Sequence, residues 1–167
     1  RAFSRSEKLT VRETAARSSI DQLTETQFQQ EIPYSHGSLR NQMVHLIDDD
    51  MSWVLFLERK DAPIYLKPQD FRTRKEVRVA YDRAEAYVLA FTQRLNESHL
   101  EETYIWHPPP APGPQQVTGL QILAHVVNHG TDHRGQILRI LHDLGAPTFD
   151  QDLMAYLWQS GTSGTSV

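Results

Sequence analysis

The chain contains no cysteine. That absence excludes disulfides, thiolate nucleophiles and cysteine zinc sites together, leaving His, Asp and Glu as the ligands for any transition metal. No apolar run comes near the roughly 20 residues that span a bilayer, and the first residues lack an apolar signal core. Positive charge is not in excess either. There are 17 Lys and Arg against 21 Asp and Glu, a formal net charge of −4, which gives no general attraction for nucleic acid or anionic lipid. The expectation is a cytoplasmic protein with neither nucleic acid nor membrane among its partners. Its 167 residues suffice for one domain with a real core and are too few for two comfortable ones. The sequence begins at Arg1 rather than methionine, so a few native residues are expected to precede it.

Strand signals are scarce, and helical spacing dominates what is present. A first helix is predicted from about Lys8 to Gln27, ending before Pro33. Ser38 suits an N-cap for a second helix, Leu39 to about Arg59, which Asp61-Ala-Pro63 stops. Residues 61–74, with Pro63 and Pro68, form a connection long enough to carry the chain back along a bundle. A third helix is predicted from about Arg74 to Asn96. The stretch 97–116 holds His107-Pro-Pro-Pro-Ala-Pro-Gly-Pro114 and is not helical through its prolines, with Glu102 to Trp106 a short extended piece. Thr118 and Gln121 fit a capping box for the fourth helix, and Leu144-Gly145-Ala146-Pro147 ends it. A short fifth helix is expected from Asp150 to about Trp158. The whole reads as one all-α bundle over residues 1–160 with a loose tail at 161–167.

The fourth helix carries HVVNHGTDHRGQ at 125–136, with His125, His129 and His133 four residues apart. At about 100° per residue, His129 and His133 fall in the middle of the apolar stripe formed by Ile122, Val126, Ile137, Ile140 and Leu144. His125 and Gln136 sit at its edge. Two imidazoles on a core-facing line need partners, because burying an unsatisfied polar group costs about 1–3 kcal/mol. A metal would satisfy both, since i and i+4 side chains project together. A His-x-x-x-His pair alone is common, and Gly130 stands where a metalloprotease would have Glu. A third ligand must therefore come from another helix, and His45 is the candidate. The apolar stripe of its helix (Leu39, Met43, Leu46, Val54, Leu57) is centred away from it, so either this helix is buried on two sides or His45 is a surface residue.

The string His129-x-x-x-His133-Arg-Gly-Gln136, followed by Ile137, Leu141 and Leu144-Gly145-Ala146-Pro147, resembles the signature of the DinB-like (YfiT-like) family. Gly37-Ser38-Leu39, His45 and Trp53 are similar to that family's second-helix pattern, and the likeness extends over about residues 8–158. The resemblance implies an up-down-down-up four-helix bundle with a long crossover between the second and third helices. It implies a metal site, usually nickel or zinc, on one histidine of the second helix and two of the fourth. Those positions are His45, His129 and His133. It also implies a homodimer.

Three histidines leave open positions on a metal, as in catalytic rather than closed structural sites. Family members with assigned activities include transferases and isomerases that use low-molecular-weight thiols such as bacillithiol or mycothiol. The resemblance thus points to a metal-dependent thiol S-transferase or a related hydrolase or isomerase. A metal-binding or stress-response module without turnover is a second reading, and a purely structural bundle with hydrogen-bonded histidines and no metal is a third. Asp49, one turn after His45, is read either as orienting a ligand from outside the metal's own shell or as a solvated member of the 48–50 acidic run. Gln136 is read as holding a bound water or making a bundle hydrogen bond. Arg134 is expected in a structural ion pair, Gly135 at a close helix approach, and His36, His99, His107 and His142 at the surface. His125 is read as a half-exposed histidine or a fourth ligand. Trp53, Phe56 and Trp106 are read as core aromatics or a pocket wall.

Overall fold

The computed structural model describes residues 18–60, 65–107, 113–152 and 154. Residues 18–21 are helical, and among the described residues seven elements of helix and strand follow, with one 3₁₀ turn at Pro68–Asp70. They are the helices α1 (Glu25–Gln29), α2 (Leu39–Leu57), α3 (Arg74–Thr92), α4 (Glu97–Glu101) and α5 (Gly119–Asp143), with strands β1 (Thr103–Trp106) and β2 (Gln115–Thr118) between α4 and α5. None of these helices is long and apolar enough to cross a membrane.

Polar caps set the helix starts. Ser38 accepts from Asn41 N at the head of α2. Thr73 with Glu76 and Thr118 with Gln121 form reciprocal capping boxes at the heads of α3 and α5. Gly145, at φ +74°, takes the left-handed position after α5.

The order of the long helices follows from contacts at their ends. Glu58, just past α2, receives hydrogen bonds from Tyr87 and Arg94 near the end of α3, so α2 and α3 run parallel. Crossover residues return the chain, and Leu66 N donates to Asp48 Oδ1 at 2.9 Å on the way. α5 runs antiparallel to α2, with His133 beside His45 and His125 beside Trp53. This is the expected down-down-up order around the long crossover. α2 lies against both α3 and α5, which makes it a helix buried on two sides.

The core has two parts. One gathers Leu39, Val44, Leu46 and Ile47 of α2 with Val77 and Ala84 of α3, Ile137, Ile140 and Leu141 of α5, and Leu23 and Phe28. The other joins Val54 and Leu57 to Phe91, Tyr104 and Ile122. Each large apolar side chain so buried contributes about 1.5–3 kcal/mol. β1 and β2 pair antiparallel, Tyr104 opposite Val117 and Trp106 opposite Gln115. Tyr104 Oη donates to the Leu57 carbonyl at 3.1 Å, which fastens this ribbon under the end of α2.

Several boundaries differ from the sequence reading. The predicted first helix is broken at 22–24, because Thr24 and Gln27 make a capping box that restarts the chain as α1. The Arg74 guanidinium takes up the carbonyls of Ile20, Asp21 and Leu23 that the break releases. The part of that helix before residue 18 lies outside the described residues. α3 stops at Thr92, four residues early, since Asn96 serves instead as the N-cap of the unforeseen α4. The extended piece is there as β1, but its partner β2 was not foreseen. Residues 150–152 are not helical and Met154 is, while the rest of the expected fifth helix and the tail lie outside the described residues.

Candidate metal centre

Four histidine rings meet on the seam between α2 and α5. His45 projects from α2, and His129 and His133 from α5. Ring centroids are 4.7 Å apart for His45 and His133, 5.3 Å for His45 and His129, and 4.1 Å for His129 and His133. The fourth ring is His36, from the turn before α2. It was expected at the surface and is exposed, yet it stacks on His45 at 4.0 Å and lies 5.5 Å from His133. His36, His45 and His133 each offer a ring nitrogen within 4.8 Å of the others. His129 joins through His133, their Nε2 atoms standing 2.9 Å apart.

These residues fit a transition metal on three counts. Metal–nitrogen lengths of about 2.0–2.1 Å bring neighbouring imidazole nitrogens to about 3 Å of each other, which is the His129–His133 separation. Three of the four rings are also held neutral. Burial, followed by the fields of His36, His133 and His129, pushes the His45 imidazole down to about 4. Burial likewise lowers His36 and His133. Their lone pairs are free at neutral pH without releasing a proton. Finally, two buried polar atoms face each other uncommitted. Asp49 Oδ2 lies 3.2 Å from His129 Nδ1, and neither makes a well-aligned hydrogen bond. A carboxylate behind a ligating histidine is the usual way its ring is oriented.

Beyond His129 the seam turns aromatic. His125 is exposed, its ring edge-on to Trp53 at 5.0 Å and 5.5 Å from His129. Trp53 meets Trp106 of β1 at 5.5 Å and Phe56 at 5.9 Å. This wall stands one turn from the histidines. Gln136 donates to Asp132 Oδ2 at 2.8 Å and accepts from Ser35 Oγ at 2.7 Å. Gln42, fully buried, contacts both Ser35 and His133 Nδ1.

Three expectations are corrected. Arg134 donates to Thr131 Oγ1 at 2.9 Å rather than to a carboxylate, and acts on Asp50 through its field alone. Among the described residues nothing approaches Gly135 closely, an added Cβ there meeting only Gln151 Nε2 at an ordinary 3.6 Å, so the expected close helix approach is not seen. His99 is half-buried and shares the Asn96 capping box instead of lying free at the surface. The sequence reading also missed Ser35 and Gln42. Gln42 shares a helix face with His45, three residues away, which was the available signal.

Similarity to known proteins agrees with this architecture. Protein DinB of Bacillus subtilis (strain 168) is 28% identical over 153 residues, covering 86% of each chain. The crystal structure of a DinB-like protein from Bacillus cereus ATCC 10987 superimposes with a TM-score of 0.61 at 18% identity. It covers 91% of this chain and 100% of that one, a likeness of fold. The model of the DinB family matches residues 9–164, which take in the capped α5, the parallel α2–α3 pair and every histidine of the cluster, and the chain therefore belongs to the DinB family.

Proposed function

We propose that the histidine cluster holds a divalent transition metal, nickel or zinc, on His45, His129 and His133. The observation that carries this reading is the 2.9 Å approach of His129 Nε2 to His133 Nε2 beside a His45 kept neutral by burial. His36 covers His45 from the solvent side, and the Asp49 carboxylate backs His129. An all-imidazole set suits zinc, nickel, copper or iron, so the geometry supports the class of metal more than its identity.

We further propose that the site activates a low-molecular-weight thiol for attack on an electrophile. A bound metal would lower the pKa of such a thiol and favour its thiolate. This chain has no thiol of its own, so the sulfur would arrive with the cosubstrate. The part of the substrate away from the sulfur would lie against Trp53 and Trp106. We place the protein in the cytoplasm, where such thiols are kept reduced, and propose a second copy of the chain as its partner. Exposed Val79 and Leu89 of α3 supply apolar surface for that contact.

Elemental analysis of the purified protein tests the metal. Near-stoichiometric nickel or zinc is expected in wild type and little in the His129→Ala/His133→Ala double variant. Less than about a tenth of an equivalent in wild type, or equal loading of the two, would sink the reading. Turnover by metal-loaded protein with a panel of small thiols and electrophiles separates a transferase from a module that binds metal without reacting.

A further inference from the structure

The contacts behind His133 form a chain whose donors and acceptors have one consistent order. It begins at the Asp132 carboxylate, which can only accept, so the amide nitrogen of Gln136 faces it at 2.8 Å. The Gln136 oxygen then points the other way and accepts from Ser35 Oγ at 2.7 Å. Ser35 has one hydroxyl hydrogen, and this bond uses it. Its second contact, to the Gln42 amide, must therefore be one in which Ser35 accepts. Gln42 then presents Nε2 to Ser35 and its oxygen to His133 Nδ1. The two orientations of the amide, related by a 180° turn, have the same shape. The opposite one sets Oε1 toward Ser35 and Nε2 toward His133. It would ask the single Ser35 hydrogen to serve two amide oxygens.

We infer that Asp132, Gln136, Ser35 and Gln42 act as positioning residues that lock His133 in its Nδ1–H tautomer, leaving the lone pair on Nε2. Nε2 is the nitrogen that faces His129 Nε2 at 2.9 Å and so looks into the cluster; in the metal-free protein it accepts there from His129 Nε2–H, a hydrogen that would move to Nδ1, toward Asp49, when a metal takes the lone pairs. A free histidine side chain favours the opposite tautomer, and a ring with its hydrogen on Nε2 would point a donor where a ligand is needed. Gln42 is suited to this: it is fully buried, and its amide has no solvent to turn toward. The inference about the tautomer concerns the metal-free protein. Its consequence, tighter metal binding, rests on the metal reading above.

Long-range proton–nitrogen correlation spectra of metal-free protein test the tautomer directly, with the ring assigned by its loss in His133→Ala. A protonated Nδ1 and a bare Nε2 are expected in wild type. A shift toward the opposite tautomer is expected in Ser35→Ala, a change at an exposed position that spares the fold, and in Gln42→Met. Cobalt(II) titration followed by its visible absorption should show metal affinity weaker by about 10–100-fold in Gln42→Met. Nε2–H in wild type overturns the inference, as does a tautomer unchanged in both Ser35→Ala and Gln42→Met. A wild-type protein with the expected tautomer that takes up no metal sustains the inference and refutes the metal reading.

Discussion

Asp49 Oδ2 and His129 Nδ1 stand 3.2 Å apart across the seam between α2 and α5, at one-quarter and one-fifth side-chain exposure. A carboxylate so placed holds the far nitrogen of the ring toward the other histidines and makes it a better ligand. Asp49→Asn keeps the shape and removes the charge. It is expected to weaken metal affinity by about 10–100-fold while moving the urea midpoint of the metal-free protein little. Chelator competition measures the first and a denaturation curve the second. Unchanged affinity would return Asp49 to the acidic run of 48–50.

The neighbouring Asp50 carries a penalty. Burial, with Asp49 adding to it and Arg134 opposing, pushes its carboxyl up to about 6. The folded state thus prefers the protonated form. Its contribution to stability is complete below the ordinary carboxylate range and is lost as pH rises through about 6. Asp50→Asn should stabilise the protein at pH 7 by about 1–3 kcal/mol, a gain that shrinks toward zero near pH 4. Urea midpoints of variant and wild type at the two pH values decide it. A gain independent of pH would contradict this account.

The histidines titrate with the opposite sign. His45 is depressed to about 4, and His36 and His133 are lowered with it. Stability from these groups is full above their ordinary value of about 6.5 and erodes as pH falls toward about 4. The metal-free protein should lose urea resistance between pH 7 and 5, and His45→Gln should flatten that loss. Asp50 gains stability over part of the same window, so the slope is cleanest in an Asp50→Asn background. A flat profile there would show that the rings are solvated.

Two glycines of α5 should behave differently. An alanine Cβ at Gly119 would run into the His99 backbone carbonyl, whereas one at Gly135 would, among the described residues, touch the Gln151 side chain alone, at 3.6 Å. Gly119→Ala is expected to cost about 1–3 kcal/mol through forced backbone movement. Gly135→Ala should be neutral or stabilise by up to about 1 kcal/mol through helix propensity. Thermal melts of the two variants compare them, and equal effects would contradict the local geometry.

What could be read in advance was what short-range chemistry decides. The Thr118–Gln121 box, Ser38 and Gly145 are cap signals a few residues long, and each appears where it was expected. The i, i+4 placement of His129 and His133 on the apolar stripe was equally local. The break at 22–24 was not legible, because the residue that takes up its carbonyls, Arg74, is more than fifty positions away. β2 has few strand formers and exists because β1 lies beside it. His36 and Ser35 sit in a turn whose direction, rather than its composition, brings them to the site. Even His45 was undecided until α2 proved to be covered on two sides.

The seam that holds the histidines repeats with the helix turn. α2 offers His45, Asp49 and Trp53, and α5 offers His133, His129 and His125 against them in order. A slip of α5 by one turn, about 5.4 Å, in the direction that brings His129 opposite His45 would also set His125 opposite Asp49. The ladder is thus a poor ruler of its own alignment. The phase is set at the helix ends, by Tyr34 on Asp143 and Gln27 on the Leu144 carbonyl at one, and by Gly119 against Glu102 and His99 at the other. Changes in these distant clamps would be felt first as a histidine cluster out of step, in a protein that is still folded.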